Sequence, residues 1–180
     1  DLHLSGPVEL GDIDLMGSMR LRDGQLAVRN RQFVLENVNI IAEISGDSIR
    51  VLQGTCDLND APLQITGHLA HAVYGPRSVE LSIFSEKFAP EQFVRRLFPG
   101  TEIPLRGSGE LQLQAYGPLL QPEFSGAFVS DSLAFKNLLF DSTRIEVALQ
   151  DSILSLEKVS AQNTTGSVDG WGSIRLGKQP

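Results

Sequence analysis

Residues 167–176 read SVDGWGSIRL. Val168, Gly170, Gly172, Ile174 and Leu176 share one parity, and Asp169, Trp171, Ser173 and Arg175 share the other. Successive side chains of a strand point to opposite faces, so the stretch reads as a strand with one apolar and one polar face. Two glycines nevertheless stand inside the apolar set, where they pack nothing and cost backbone entropy. Such a strand either lets its sheet bend or leaves space on that face.

The alternation extends through most of the chain. Ile13, Leu15, Gly17, Met19 and Leu21 alternate with Asp14, Met16, Ser18, Arg20 and Arg22, and Asp23-Gly24 then predicts a hairpin turn before Leu26 and Val28. Further faces are Val38, Ile40, Ala42 and Ile44; Leu52, Gly54, Cys56 and Leu58; Leu63, Ile65, Gly67 and Leu69; and Val79, Leu81 and Ile83. Gly46-Asp47 and Asn59-Asp60 supply turns between them. In the second half Leu105, Gly107, Gly109, Leu111, Leu113 and Ala115 predict one continuous strand. Phe124, Gly126 and Phe128 follow, then Leu133 and Phe135, then Ile145, Val147 and Leu149. Strands at intervals of about 8 to 12 residues predict an all-β architecture.

One segment departs from this period. In SEKFAPEQFVRRLFPGTEIP, Pro90 suits a first helical turn, Phe93, Val94, Leu97 and Phe98 fall on one helical face, and Pro99-Gly100 stops the run. The expectation is a short amphipathic helix plugging one end of a sheet's apolar surface, with membrane or partner binding as the alternative. It is too short to cover twelve or thirteen strands, which would extend roughly 60 Å at about 4.8 Å each. The sheet must therefore curl as a half-open groove, fold as an elongated sandwich, or close as a barrel.

The two halves resemble each other. Leu4-Ser-Gly-Pro7 matches Ala115-Tyr-Gly-Pro118, and Met16-Gly17-Ser18-Met19 matches Ser125-Gly126-Ala127-Phe128. Leu26-Ala-Val28 matches Leu133-Ala-Phe135, and Asp47-Ser-Ile49 matches Asp151-Ser-Ile153. The chain thus reads as one β-groove segment, residues 1–180, made of two related copies at about 1–75 and 105–180. A strand and the helix, at about 76–104, join them. Glycines recur inside the apolar faces: Gly6, Gly17, Gly54, Gly67 and Gly126 singly, and Gly107/Gly109 and Gly170/Gly172 in pairs. They bend the sheet, leave a lane along its apolar side, or do both.

Composition narrows the partners. A net charge of -7 gives no counterion-release gain on a phosphate backbone, so no nucleic acid is expected. The one cysteine, Cys56, excludes an internal disulfide framework and alternates with Leu58 as a small core residue. The three histidines include His68 and His71, which fall on opposite faces of a strand, and no carboxylate or thiol is spaced to complete a metal site. There is no G-x-S-x-G elbow, and Gly107-Ser-Gly109-Glu110 lacks the third glycine and following helix of a dinucleotide loop. No enzyme activity, metal or cofactor is expected. The opening DLHLSGPVEL already alternates and has no initiator methionine, which reads as a segment of a longer protein.

The run from Ser78 to Phe135 resembles the repeating unit of TamB-type proteins of the AsmA-like superfamily. The resemblance rests on Phe93 to Pro99, the G-x-G-x-L-x-L strand Gly107 to Leu113, Gly117-Pro118, Pro122, Phe124 to Phe128 and Leu133 to Phe135, with Val168 to Ile174 as a closing strand. It implies a β-taco with an apolar interior, one of the repeating-groove lipid-transfer proteins. It further implies a periplasmic segment of a protein anchored in the inner membrane of a diderm bacterium. Such a protein reaches toward an outer-membrane barrel partner and serves phospholipid transport and outer-membrane assembly. Met19, Leu21, Ile65, Leu69, Leu111, Leu113, Phe124, Phe128, Val168 and Ile174 would then line the groove for phospholipid acyl chains. Gly17, Gly54, Gly67, Gly107, Gly109, Gly126, Gly170 and Gly172 would shape it. Alternatives are a chaperone-like module that pairs with strands of outer-membrane protein clients by β-augmentation, and a β-solenoid spacer with a dry interior.

Overall fold

The computed structural model describes residues 2–5, 14–28, 33–58, 60–72, 75–97 and 104–175. Expectations resting on Gly6, Ile13, Asn59, Phe98, Pro99-Gly100 and Leu176 lie outside them. The protein is all-β with one short helix, and its main sheet is antiparallel and not closed into a barrel.

That sheet contains β1 (Leu2–Ser5), β2 (Asp14–Val28), β3 (Phe33–Ser45), β4 (Ser48–Leu58), β5 (Ala61–Ala70) and β6 (Ser78–Phe88) in chain order. Helix α1 (Pro90–Leu97) and the short β7 (Leu105–Arg106) intervene before the sheet resumes with β8 (Gly109–Pro118) and β9 (Glu123–Ser130). A hairpin of β10 (Leu133–Phe135) and β11 (Leu138–Phe140) then leaves the sheet, which ends with β12 (Ser142–Gln150), β13 (Ile153–Asn163) and β14 (Gly166–Arg175). The order is β1-β2-β3-β4-β5-β6-β8-β9-β12-β13-β14, with β11-β10-β7 as a separate three-stranded sheet. The chain exposes 12423 Å², against roughly 8,600 Å² for a compact protein of its mass. This excess is what a single open sheet with little second layer should show.

Three of the four matched motifs occupy strands of the same rank, whereas Leu26–Val28 lies on β2 and Leu133–Phe135 on β10 of the small sheet. Around β6 stand two five-strand groups, β1 to β5 and β8-β9-β12-β13-β14. Met16–Met19 lies on β2 and Ser125–Phe128 on β9, each second in its group. Ile49 and Ile153 each follow the turn into the fourth strand.

Four local expectations need correction. Asp23-Gly24 is not a hairpin turn; β2 runs through it as a bulge, the register stepping from Leu21↔Ile40 to Gly24↔Val38. Asp23 takes φ 52° there, a left-handed conformation that Asp and Asn tolerate through local hydrogen bonding. Asn37 does the same at φ 51° on β3, and the bulges are stitched together. Asp23 N–H donates to Asn39 Oδ1 at 3.3 Å, Asn39 Nδ2 to the Asn37 carbonyl at 2.7 Å, and Asn37 Nδ2 to Asp57 Oδ2 at 2.7 Å. Leu52 sits at another register shift and is exposed instead of joining Gly54 and Cys56.

The strand expected from Leu105 to Ala115 is broken, because Gly107 at φ +128° turns β7 into the small sheet. Leu133 and Phe135 likewise leave the large sheet and pair with Phe140 and Leu138. The remaining strands follow the alternation. The Gly46-Asp47 turn and the helix starting at Pro90 stand where the sequence places them.

Candidate functional site on the apolar face of the sheet

Cross-strand register defines the faces of the sheet. One row reads Leu21, Ile40, Gly54, Ile65, Ile83, Leu113, Gly126, Val147, Leu156 and Gly172. Two residues along each strand, or three on β4 across its bulge, the next row reads Met19, Ala42, Val51, Gly67, Leu81, Ala115, Phe124, Leu149, Leu154 and Ile174. Both rows are apolar or glycine throughout, and together they cross from β2 to β14. Nine intervals between these ten strands, at about 4.8 Å each, make a track of about 43 Å. Bulges keep the rows in phase: without the extra residue at Asp23, Leu52 and Glu157, the apolar sets of β2, β4 and β13 would swap faces.

The structure brings all ten expected lining residues to this face. Leu21, Ile65 and Leu113 lie in the first row, and Met19, Phe124 and Ile174 in the second. Leu69 lies one row further, with Gly17, Ile44, Ile49 and Val79. Leu111 and Phe128 pair on the other side of the first row, and Val168 pairs with Ala161 beyond them. Seven of the eight named glycines stand on the strands here; Gly107 lies between β7 and β8.

Burial divides the face. Leu111 and Phe128 are 7% and 4% exposed, in a cluster with Ala61, Phe88 and Leu133 against which Phe93 of α1 and Leu105 pack. Phe88 meets Phe93 and Phe128 edge to face, with centroids 5.8 and 6.4 Å apart. The helix and the small sheet therefore plug this part of the trough. Val38, Cys56 and Leu63 form a second buried cluster on the first group of strands. Toward the two ends of the rows, on β2 and β14, the large apolar side chains are open: Met19 40%, Leu21 43%, Ile174 44% and Val168 53% exposed, while those between, such as Ile65 and Phe124, are half-buried. Leu133 and Phe88 complete the plug unannounced by the sequence, because both look like ordinary members of alternating runs.

The glycines divide in the same way. A Cβ at Gly67 would lie 2.1 Å from the Glu80 carbonyl oxygen on β6, and at Gly126 2.0 Å from that of Gln112 on β8. At Gly109 it would lie 2.2 Å from the Val129 oxygen and at Gly54 3.0 Å from that of Ile65. These glycines admit a neighbouring strand. At Gly170 and Gly172 a Cβ would meet nothing within 4 Å.

The opposite face is polar. One of its rows runs Arg50, His68, Glu80, Tyr116 and Glu123, with His68 Nε2 3.8 Å from Glu80 Oε2. A hollow of about 510 Å³ lies over this face, where Gln112, Gln114, Ser125, Arg144 and Glu146 contribute to its wall. Arg144 Nε donates to Glu146 Oε1 at 2.8 Å, and that hydrogen bond holds the Glu146 carboxyl below its usual pKa. Tyr116 is pushed up by desolvation and then by the Glu123 carboxylate. Burial, and then the Asp57 charge, push up the Cys56 thiol.

His71 is not on the strand face expected of it. It sits at the end of β5 with φ 54°, its Nδ1 3.3 Å from Asp47 Oδ2. No cluster of three or more potential metal ligands occurs among the described residues. No helix among them is long and apolar enough to cross a membrane. Comparison with protein-family models, with curated proteins and with solved structures finds no match to this chain.

Proposed function

We propose that the chain is a non-catalytic, lipid-conducting segment whose apolar face solvates phospholipid acyl chains while head groups stay in water. The observation that supports this most is the pair of unbroken apolar rows from β2 to β14, bearing side chains as large as Met19, Leu21 and Ile174 that stay open to solvent. Water contact on so much apolar surface is costly, at roughly 25 cal/mol per Å², and monomeric proteins rarely leave large contiguous patches uncovered. An acyl chain suits a surface that is continuous, apolar and without directional polar groups. On the resemblance to the TamB-type repeat, the proposal extends to a periplasmic segment of an inner-membrane-anchored protein that moves phospholipid toward an outer-membrane partner.

The test is site-specific photo-crosslinking of the purified chain with vesicles containing labelled phosphatidylethanolamine and phosphatidylglycerol. Crosslinkers at Leu113, Phe124 and Ile174 should capture lipid, and those at Gln114 and Ser173 on the polar face should not. Equal capture on both faces, or none on the apolar one, overturns the proposal. Leu111 is unsuitable for this purpose, since a probe or charge there would disturb the buried cluster.

A further inference from the structure

We propose that the free edge of β14 accepts an extended polypeptide strand of the chemistry of β6, antiparallel, with an aromatic residue against Trp171 and a carboxylate against Arg175. Among the described residues β14 pairs only with β13, so within them its outer side presents unpaired backbone N–H and C=O groups. The same sheet contains a filled version of this edge. β5 is last in the first group of strands as β14 is last in the second, and β5 is covered by β6 through Gln64↔Phe84, Ile65↔Ile83, Gly67↔Leu81 and His68↔Glu80.

Following the cross-strand rows from β5 to β14 gives the groups an incoming strand would meet. Ile174 shares a row with Gly67, and Gly172 shares one with Ile65. On the polar face, Arg175 stands at the level of His68, which faces Glu80. Trp171 stands at the level of Gln64, which faces Phe84. A strand like β6 would thus set Phe84-type and Glu80-type side chains beside an indole and a guanidinium. Trp171 is 86% exposed, an unusual position for the most apolar surface in the chain's polar rows. The open space at Gly170 and Gly172 agrees with this, because at Gly67 the space is taken by β6, which lies on the side of β5 that β14 leaves uncovered. The inference concerns the sheet edge and stands apart from the lipid reading of the apolar face.

The probe is the peptide SVELSIFSEKF, residues 78–88, added to the intact chain with a scrambled peptide as control. Trp171 is the one tryptophan, so its emission reports this edge directly. The expected result is a saturable blue shift with the peptide only, together with slowed amide exchange in residues 166–175. Reversing one charge, by Arg175→Glu in the chain or Glu80→Lys in the peptide, should weaken binding about three- to fivefold, as for an exposed ion pair. Combining both reversals should restore it. Gly172→Val should not lower the thermal unfolding temperature and should weaken the peptide. The proposal is overturned if the scrambled peptide binds equally, if the two reversals do not compensate, or if protection appears elsewhere. It is also overturned if sedimentation shows that a second copy of the chain already occupies the edge. Lipid capture at Leu113 with no peptide docking would leave the lipid reading standing and remove this one.

Discussion

Thr143, Ala161 and Val168 lie side by side in one cross-strand row on one face, yet Thr143 is 1% exposed, Ala161 7% and Val168 53%. The centre of the sheet and its β14 edge thus differ in burial although alternation treats them alike. Strand parity assigns a face, whereas burial depends on a second layer. Here that layer is built by two excursions, α1 with β7 and the β10–β11 hairpin, which crowd over β6, β8 and β9 and do not cover β14.

The most severe way to test this difference is to truncate an apolar side chain in each region. Phe128→Ala should lower stability by about 3–5 kcal/mol, as for a large aromatic removed from a packed core. Val168→Ala should change it by less than about 0.5 kcal/mol, as at an exposed position. Urea denaturation of the two variants measures both. Comparable losses would mean that the centre and the edge do not differ in packing.

The glycines give the next largest contrast. Gly126→Ala places a methyl group against the Gln112 carbonyl and Leu113, and should cost about 1–3 kcal/mol, as other overpacking substitutions do. Gly172→Ala meets nothing and should stabilise by about 0.5–1 kcal/mol through reduced backbone entropy. Thermal unfolding of both, compared with wild type, checks the sign. A loss at Gly172 would mean that its backbone needs glycine for a reason other than a missing neighbour.

The faces were legible in the sequence because their physical basis is local. A period of two put Met19, Leu113 and Ile174 on one side, and the structure places them there through the register of ten strands. The helix was legible from Pro90 and the Phe93-Val94-Leu97 spacing. Bulges were not, because Asp23-Gly24 has the composition of a turn, and only the neighbouring Asn39 and Asn37 side chains let the strand continue through it. The break at Gly107 and the departure of Leu133 were hidden for a different reason. Alternation cannot say which sheet a strand joins, and Leu133 is apolar in either. Whether a glycine bends a sheet or admits a neighbour also depends on partners distant in sequence, as the contrast between Gly126 and Gly172 shows.

Smaller effects separate the plugged centre's own polar groups. Ser85 Oγ and Thr143 Oγ1 are buried without a hydrogen-bond partner, while Ser130 Oγ donates to the Ser108 carbonyl at 2.7 Å and accepts from Ser132 N–H at 3.2 Å. Thr143→Val keeps the shape and removes an unmet hydroxyl, so it should be neutral or stabilise by up to about 1 kcal/mol. Ser130→Ala should cost about 0.5–1.5 kcal/mol by removing a made hydrogen bond. Urea midpoints of the pair distinguish them, and a clear loss at Thr143 would reveal a partner for its hydroxyl.

The smallest effect belongs to the polar face, where nothing is packed over the charges. Hydrogen bonding from Arg144 lowers the Glu146 pKa from its ordinary 4.5. A carboxyl whose folded pKa is depressed favours the folded state above its unfolded pKa, and loses that contribution as pH falls through the folded value. Both groups face water, so the contribution is slight and screened by salt. Wild type should therefore lose slightly more stability than Arg144→Gln between about pH 6 and about pH 3, a window that spans ordinary carboxyl titration. The gap should shrink at high salt. An identical acid response in the two proteins would show that the Arg144 pair does not persist in solution.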